Sequence, residues 1–215
     1  DVTLTYRDNE KAAEAVAGRI RDTGRRAAAV RADSADPAAV TAAVDDAAAR
    51  WGRLDILVNN AAAFVTGPVA EMSAADVEHT LAVNVRAPFI ASQAAARHMR
   101  AGGRIITVGS NIAQRVPFPG FTLYALSKSA LIGLTKALGR ELGPRAITVN
   151  LVNPGPTSTD LSPSDGPAVA AISGFTALGH FADPADPAAV VAFLASPAAR
   201  YVTASVIDAD GGFSA

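Results

Sequence analysis

Short continuous apolar runs, each followed by a longer alanine-rich stretch, constrain this chain more than any other feature. "ILV" at 56–58 and "IITV" at 105–108 do not alternate with polar residues. A strand of that kind is buried on both faces, which belongs to a parallel sheet covered by helices on each side. The runs predict strands at Val2–Tyr6, Ala27–Arg31, Leu54–Asn59, Arg104–Gly109, Ile147–Asn153 and Ser205–Asp208. Between them, helices are predicted at Glu10–Thr23, Pro37–Trp51, Ala74–Arg100, Leu123–Leu142 and Pro187–Ser196. Ser73 before "AADV" reads as a helix cap, and Asp36-Pro37 puts proline at a first helical position. Strand–helix alternation with short connections gives an α/β, doubly wound, Rossmann-like single domain. No internal repeat is present beyond that rhythm.

Bulk properties remove several functional classes. With 215 residues, half of them hydrophobic, the chain buries one sizeable core. A net charge of −1 leaves no basic surface for nucleic acid. No apolar run reaches the roughly 20 residues of a membrane span, and no apolar leader opens the sequence, so a cytoplasmic protein is expected. Without cysteine there are no disulfides, thiol nucleophiles or thiolate metal sites. His79, His98 and His180 lack ligand spacing, and no metal is expected. Asp45-Asp46 reads as a solvated pair, Trp51 as a packing residue, and "DADGG" at 208–212 as a strand-end turn.

The stretch "LYALSKSALIGL", 123–134, carries chemistry. Residues four apart share a helix face, so Tyr124 and Lys128 can meet. A phenol titrates near pH 10, and a neighbouring ammonium lowers that value toward useful proton exchange. The same spacing also arises by chance around a half-buried helix tyrosine. Ser110 follows "RIITVG" at a strand carboxyl end, where open α/β sheets place their ligands. Its hydroxyl suits a carbonyl oxygen, and equally a turn or cap. Asn84 lies four residues before Pro88, which has no N–H, so its carbonyl is freed as a water site inside a helix.

Assembled, these residues resemble the short-chain dehydrogenase/reductase family along essentially the whole chain. The matching pieces are "LDILVNNAA" (54–62), "NVRAPF" (84–89), "ITVGS" (106–110), "YALSK" (124–128), "VNLVNPGPTSTDL" (149–161) and "DADGGFSA" (208–215). The resemblance implies that Tyr124 donates the proton, that Lys128 lowers the tyrosine pKa and holds the nicotinamide ribose, that Ser110 orients the substrate, and that Asn84 holds a relay water. It also implies that Asn60 and Ala61 lie along the cofactor, Asp33 beside the adenine, and Pro154, Gly155, Thr157 and Thr159 around the nicotinamide. The likeness is to 3-oxoacyl-carrier-protein reductases and broad ketone reductases. It extends to a subgroup that includes cyclic dinucleotide-binding regulators, and a non-catalytic binding protein on the same scaffold, or an inactive product, is the alternative.

Some positions depart from the family. Ala62 stands where glycine is usual, Ala204 where glycine is frequent, and the fourteen residues from Ser110 to Tyr124 are one more than in many members. The family's first strand and its glycine-rich turn, which cradles the cofactor diphosphate, do not occur in these residues. The chain is therefore expected to be an N-terminally truncated piece, short by roughly 30–35 residues, one βα unit. The missing strand would lie between those at 2–6 and 54–59, and the chain without it is expected to fold poorly and bind cofactor weakly.

At the end of the second family strand an acidic residue would take the ribose of NAD(H). Here "TYRDN" offers Arg7, a fork suited to a 2′-phosphate, with Asp8 next to it. This favours NADP(H) over NAD(H). Segments 111–121 and 160–182, the second a substrate lid, are expected to line the pocket. They bring Val116, Pro117, Phe118, Phe121 and Phe175, with Gln114, Arg115 and His180 as the polar groups. A mostly apolar carbonyl compound is the expected substrate. Small residues at Ala91, Ala94, Ala95, Ala130, Gly133 and Ala137 predict close helix contact between subunits, in a homodimer or homotetramer.

Overall fold

The structure, a computed structural model, describes every residue except Asp160, Leu161, Pro163 and Pro167. Its order is β1 (Val2–Tyr6), α1 (Glu10–Asp22), β2 (Ala27–Arg31), α2 (Pro37–Trp51), β3 (Ile56–Asn59), α3 (Ala74–Leu81), α4 (Ala87–His98), β4 (Arg104–Val108), α5 (Thr122–Leu142), β5 (Thr148–Pro154), α6 (Val169–Ser173), α7 (Ala185–Ala195) and β6 (Ser205–Ala209). All strand pairs are parallel. Neighbouring residues of one strand enter different clusters. Ile105 packs with Val40, Val44, Ala94, Ala95 and Met99, whereas Ile106 packs with Val152, Leu194 and Ala199. That is the two-sided cover the continuous apolar runs require.

Pairing is interrupted once. β1 pairs with β2, and β3–β4–β5–β6 form a second sheet, so β1 and β3 each keep one unpaired edge. The apolar side chains Val2, Ile56 and Val58 are exposed along those edges. Trp51 spans the break from α2 by donating from Nε1 to the Thr3 hydroxyl at 2.8 Å.

Helix starts follow their caps. Ser73 and Asp76 form a reciprocal capping box on α3, and Asp36 accepts from the Ala38 amide ahead of Pro37. The helix predicted over 74–100 runs from 74 to 98, with a π turn at Ala82–Arg86 between α3 and α4. Pro88 explains it: its ring excludes the carbonyl of Asn84, and the Ala87 amide reaches back to Ala82. α6 was not expected within the lid. Asp45 is not simply solvated, because it accepts from His98 at 2.6 Å and Arg97 at 3.3 Å and so ties α2 to α4.

Ala204 departs from the family with a measurable consequence. Its φ is 53°, in the left-handed region, and its amide donates to Val149 at 2.7 Å. A non-glycine residue there costs about 1 kcal/mol. Ala204→Gly is expected to raise unfolding free energy in urea by roughly 0.5–1 kcal/mol; a loss of stability would show that the backbone is unstrained.

Candidate active site

α5 supplies the reactive pair. Leu123, Tyr124, Ser127, Lys128 and Leu131 are its buried residues here, so the phenol and the amine share the inward face. The Lys128 amine lies 5.7 Å from the centre of the Tyr124 ring and donates to the Val108 carbonyl at 3.1 Å. It thereby joins α5 to the carboxyl end of β4. Burial lowers the Lys128 pKa from 10.5 to about 8. The lowering of the Tyr124 pKa expected from Lys128 is not what this site shows. Burial pushes the phenol up, and a hydrogen bond with Ser110 offsets part of that rise. The phenol therefore stays protonated near neutrality, which is the form a proton donor needs.

Ser110 caps a turn beside Tyr124. Its hydroxyl accepts from the Ile112 amide at 3.2 Å, capping the turn at Asn111–Ala113, and also faces Tyr124. Asn84 sits in the π turn, fully enclosed. Its carboxamide accepts from the Ala63 amide at 2.7 Å and donates to the Ala63 carbonyl at 2.8 Å and the Ser127 hydroxyl at 2.9 Å. The side chain thus clamps the segment after β3 onto α5.

The residues expected along a cofactor sit together at the carboxyl ends of parallel strands. Arg7 follows β1, Asp33 follows β2, Asn60 and Ala61 follow β3, and Pro154 and Gly155 end or follow β5. Arg7 engages Asp8 at 2.5 Å. Arg31 was missed by the sequence reading. It ends β2 directly across from Tyr6, and its Nε donates to the Arg7 carbonyl at 3.1 Å, placing a second cation beside the first. Parallel pairing of the first two strands was the available signal. Gly155 has a structural explanation of its own, since a Cβ there would stand 2.6 Å from Asp210 Cα. Thr157 donates to the Gly155 carbonyl at 3.0 Å, and Thr159 bridges to Ser162.

Aromatic rings lead away from Tyr124. Phe64 meets it edge-on at 4.9 Å, and the contacts continue through Phe121 and Phe118 to Phe175 and Phe213. Phe64 and Phe213 were not anticipated. The polar groups expected to face substrate are instead held by protein. Gln114 donates to Asp208 at 2.7 Å, Arg115 donates to the Phe213 carbonyl at 2.6 Å, and His180 Nδ1 lies 2.8 Å from the Phe181 carbonyl. Side-chain partners of that kind leave no periodic trace. Of the predicted lid, 160, 161, 163 and 167 lie outside the described residues. A cavity of about 360 Å³ lies beside its remainder, between Ser158, Val169 and His180. No helix among the described residues is long and apolar enough to cross a membrane.

A family model described as enoyl-(acyl carrier protein) reductase matches residues 1–214. The chain is a short-chain dehydrogenase/reductase. It shares 41% identity over 215 residues, all of this chain and 87% of the relative, with the cyclic-di-GMP-binding biofilm dispersal mediator protein of Escherichia coli K12. Versicolorin reductase of Emericella nidulans is 34% identical over 224 residues, covering 98% of this chain and 84% of that one. A short-chain dehydrogenase from Burkholderia cenocepacia, solved in complex with NADP, superposes with a TM-score of 0.99 at 49% identity, over all of this chain and 88% of that chain. Membership makes the chain one of an oxidoreductase family on a Rossmann-like fold.

Proposed function

We propose that this dehydrogenase/reductase reduces a ketone-type carbonyl with NADPH, with Tyr124 as the proton donor. One observation carries the reading: a buried phenol and a buried amine share one face of α5, the amine 5.7 Å from the ring centre and bonded to the carboxyl end of β4. The donor set fits the two ends of the dinucleotide. Arg7 and Arg31 suit the 2′-phosphate, Asn60 and Ala61 lie along its path, and Tyr124, Lys128 and residues 154–159 suit the nicotinamide ribose and ring. When bound, the nicotinamide supplies hydride. The protein's own part is electrostatic and geometric. Ser110 donates to the carbonyl oxygen and fixes its position, Tyr124 releases its proton to that oxygen as negative charge develops, and Lys128 stabilises the phenolate left behind. The Asn84 carbonyl offers the water site through which that proton returns. Phe64, Phe121 and Phe118 favour an apolar substrate and exclude water.

The open edges of β1 and β3 offer unpaired backbone groups to the strand of a further βα unit. NADPH oxidation with a panel of ketones and 3-oxoacyl thioesters, with and without such a βα unit ahead of Asp1, tests both readings. Carbonyl-dependent oxidation supports the reductase, and its absence from both forms removes it.

NADPH preference is tested at Arg7. Arg7→Ala is expected to weaken NADPH by about ten- to a hundredfold, the size of one charge-assisted hydrogen bond, and to leave NADH nearly unchanged. Equal losses by fluorescence titration would remove the 2′-phosphate assignment.

The 41% identical relative named for cyclic-di-GMP binding favours a second reading, a regulator on the same scaffold. Calorimetric binding of cyclic-di-GMP without carbonyl reduction would support that reading instead. Assembly is proposed through α5. Ala91, Ala94 and Ala95 are packed in the core, not on a free face as the sequence reading had it. Ala130, Gly133 and Ala137 remain exposed on α5 and offer the close-approach face for a second copy.

A further inference from the structure

β4 and β5 bond through their backbones as far as the Gly109 amide, which donates to the Val152 carbonyl at 2.7 Å. Beyond that point a side chain continues the ladder. The carboxamide of Asn153, fully enclosed, accepts from the Ser110 amide at 3.2 Å through Oδ1. Gly109 makes room for it, since a Cβ at Gly109 would stand 2.1 Å from that same oxygen. On its other side Asn153 donates from Nδ2 to Asp208 Oδ1 at 3.0 Å, and Asp208 is its direct neighbour across the β5–β6 pair. The same carboxylate oxygen accepts from Gln114 at 2.7 Å. Ser110 and Gln114 flank the turn at Asn111–Ala113, so both ends of the segment carrying the Ser110 hydroxyl converge on Asp208.

We propose that Asp208, acting through Asn153, is a positioning residue for Ser110. A carboxylate only accepts hydrogen bonds, whereas a carboxamide has a donating and an accepting end. Asp208 therefore compels Asn153 to turn its amide outward, which leaves its oxygen, and no other atom, for the Ser110 N–H. Reversing the amide would put two donors against each other at Ser110 and two acceptors at Asp208. The arrangement rests on the reductase reading, in which Ser110 fixes the substrate oxygen. Small misplacements at such a position are costly to rate, up to about a hundredfold for a shift near 1 Å.

The test compares Asp208→Ala and Asp208→Asn, each alone and combined with Ser110→Ala. Asp208 is exposed, so neither change opens a cavity. Asp208→Ala is expected to lower kcat about tenfold while the melting temperature and KM for NADPH stay put. Asp208→Asn, which keeps an acceptor, is expected to recover most of the loss. In the Ser110→Ala background, Asp208→Ala is expected to add little, because its effect runs through that hydroxyl. Hydrogen exchange at the Ser110 amide, read without turnover, is expected to quicken in Asp208→Ala and not in Asp208→Asn. Unchanged kcat and exchange in Asp208→Ala, or full additivity with Ser110→Ala, overturns the proposal. A fully active Ser110→Ala would instead strike the reductase reading itself, with the exchange rate still deciding whether Asp208 holds Ser110.

Discussion

Tyr124→Phe is expected to lower kcat for NADPH-dependent carbonyl reduction by about 10²–10⁴-fold without loss of fold. The substitution removes one oxygen and keeps the ring. The edge-on contact with Phe64 survives, as does the packing of α5 around Leu123 and Leu131. The hydroxyl lies near Ser110, whose own oxygen keeps the Ile112 amide after the change. Stability is therefore expected to move by less than about 1 kcal/mol, and NADPH affinity to fall by no more than about fivefold, the size of one neutral hydrogen bond. What disappears is the proton delivered to the carbonyl oxygen. Because burial holds the phenol above its ordinary value, the wild-type rate is also expected to show no loss from tyrosine ionisation between pH 6 and 9. Steady-state kinetics with circular dichroism checks both parts. A Phe variant retaining a tenth or more of the activity would move proton donation to another group.

Most of the frame behind that expectation is written in the sequence, because strands covered on both faces must be continuously apolar. β1, β2 and α2 begin and end at the predicted residues. Tyr124 and Lys128 were legible for the same kind of reason, since a spacing of four on a helix is a statement about space. Three features were not. The π turn at Ala82–Arg86 is triggered by Pro88, yet a proline predicts a disturbance and not its form. Phe64 and Phe213 reach the aromatic chain from segments far apart in sequence. Gln114 and Arg115 read as free polar groups because no pattern announces Asp208 or the Phe213 carbonyl as their partners. Local periodicity records which face is buried, whereas these contacts depend on which loops meet.

Lys128→Met is expected to stabilise the protein while disabling it. Lys128 is 2% exposed and burial lowers its pKa from 10.5 to about 8, which is a stability statement. Above the unfolded value the amine is neutral in both states and carries no penalty. As pH falls from 10.5 to 8 the unfolded chain takes up a proton that the folded chain does not, so stability is lost through that window. Below 8 both states are protonated and the penalty is constant. At 1.36 kcal/mol per unit the shift amounts to roughly 3 kcal/mol. Methionine has a similar length and no charge. It escapes that penalty and gives up the bond to the Val108 carbonyl, worth about 1.5–3 kcal/mol to a charged group. Urea unfolding of both proteins from pH 7 to 10.5 isolates the term, because every other titrating group cancels in the difference. The wild-type minus Met difference is expected to rise by about 3 kcal/mol between pH 8 and 10.5, while kcat in the Met variant falls by at least a hundredfold. A flat difference would mean that the folded protein keeps the amine charged at no cost. A rising one, with activity lost, would mean that the fold carries a destabilising group whose use is to hold the phenolate that forms when Tyr124 gives up its proton.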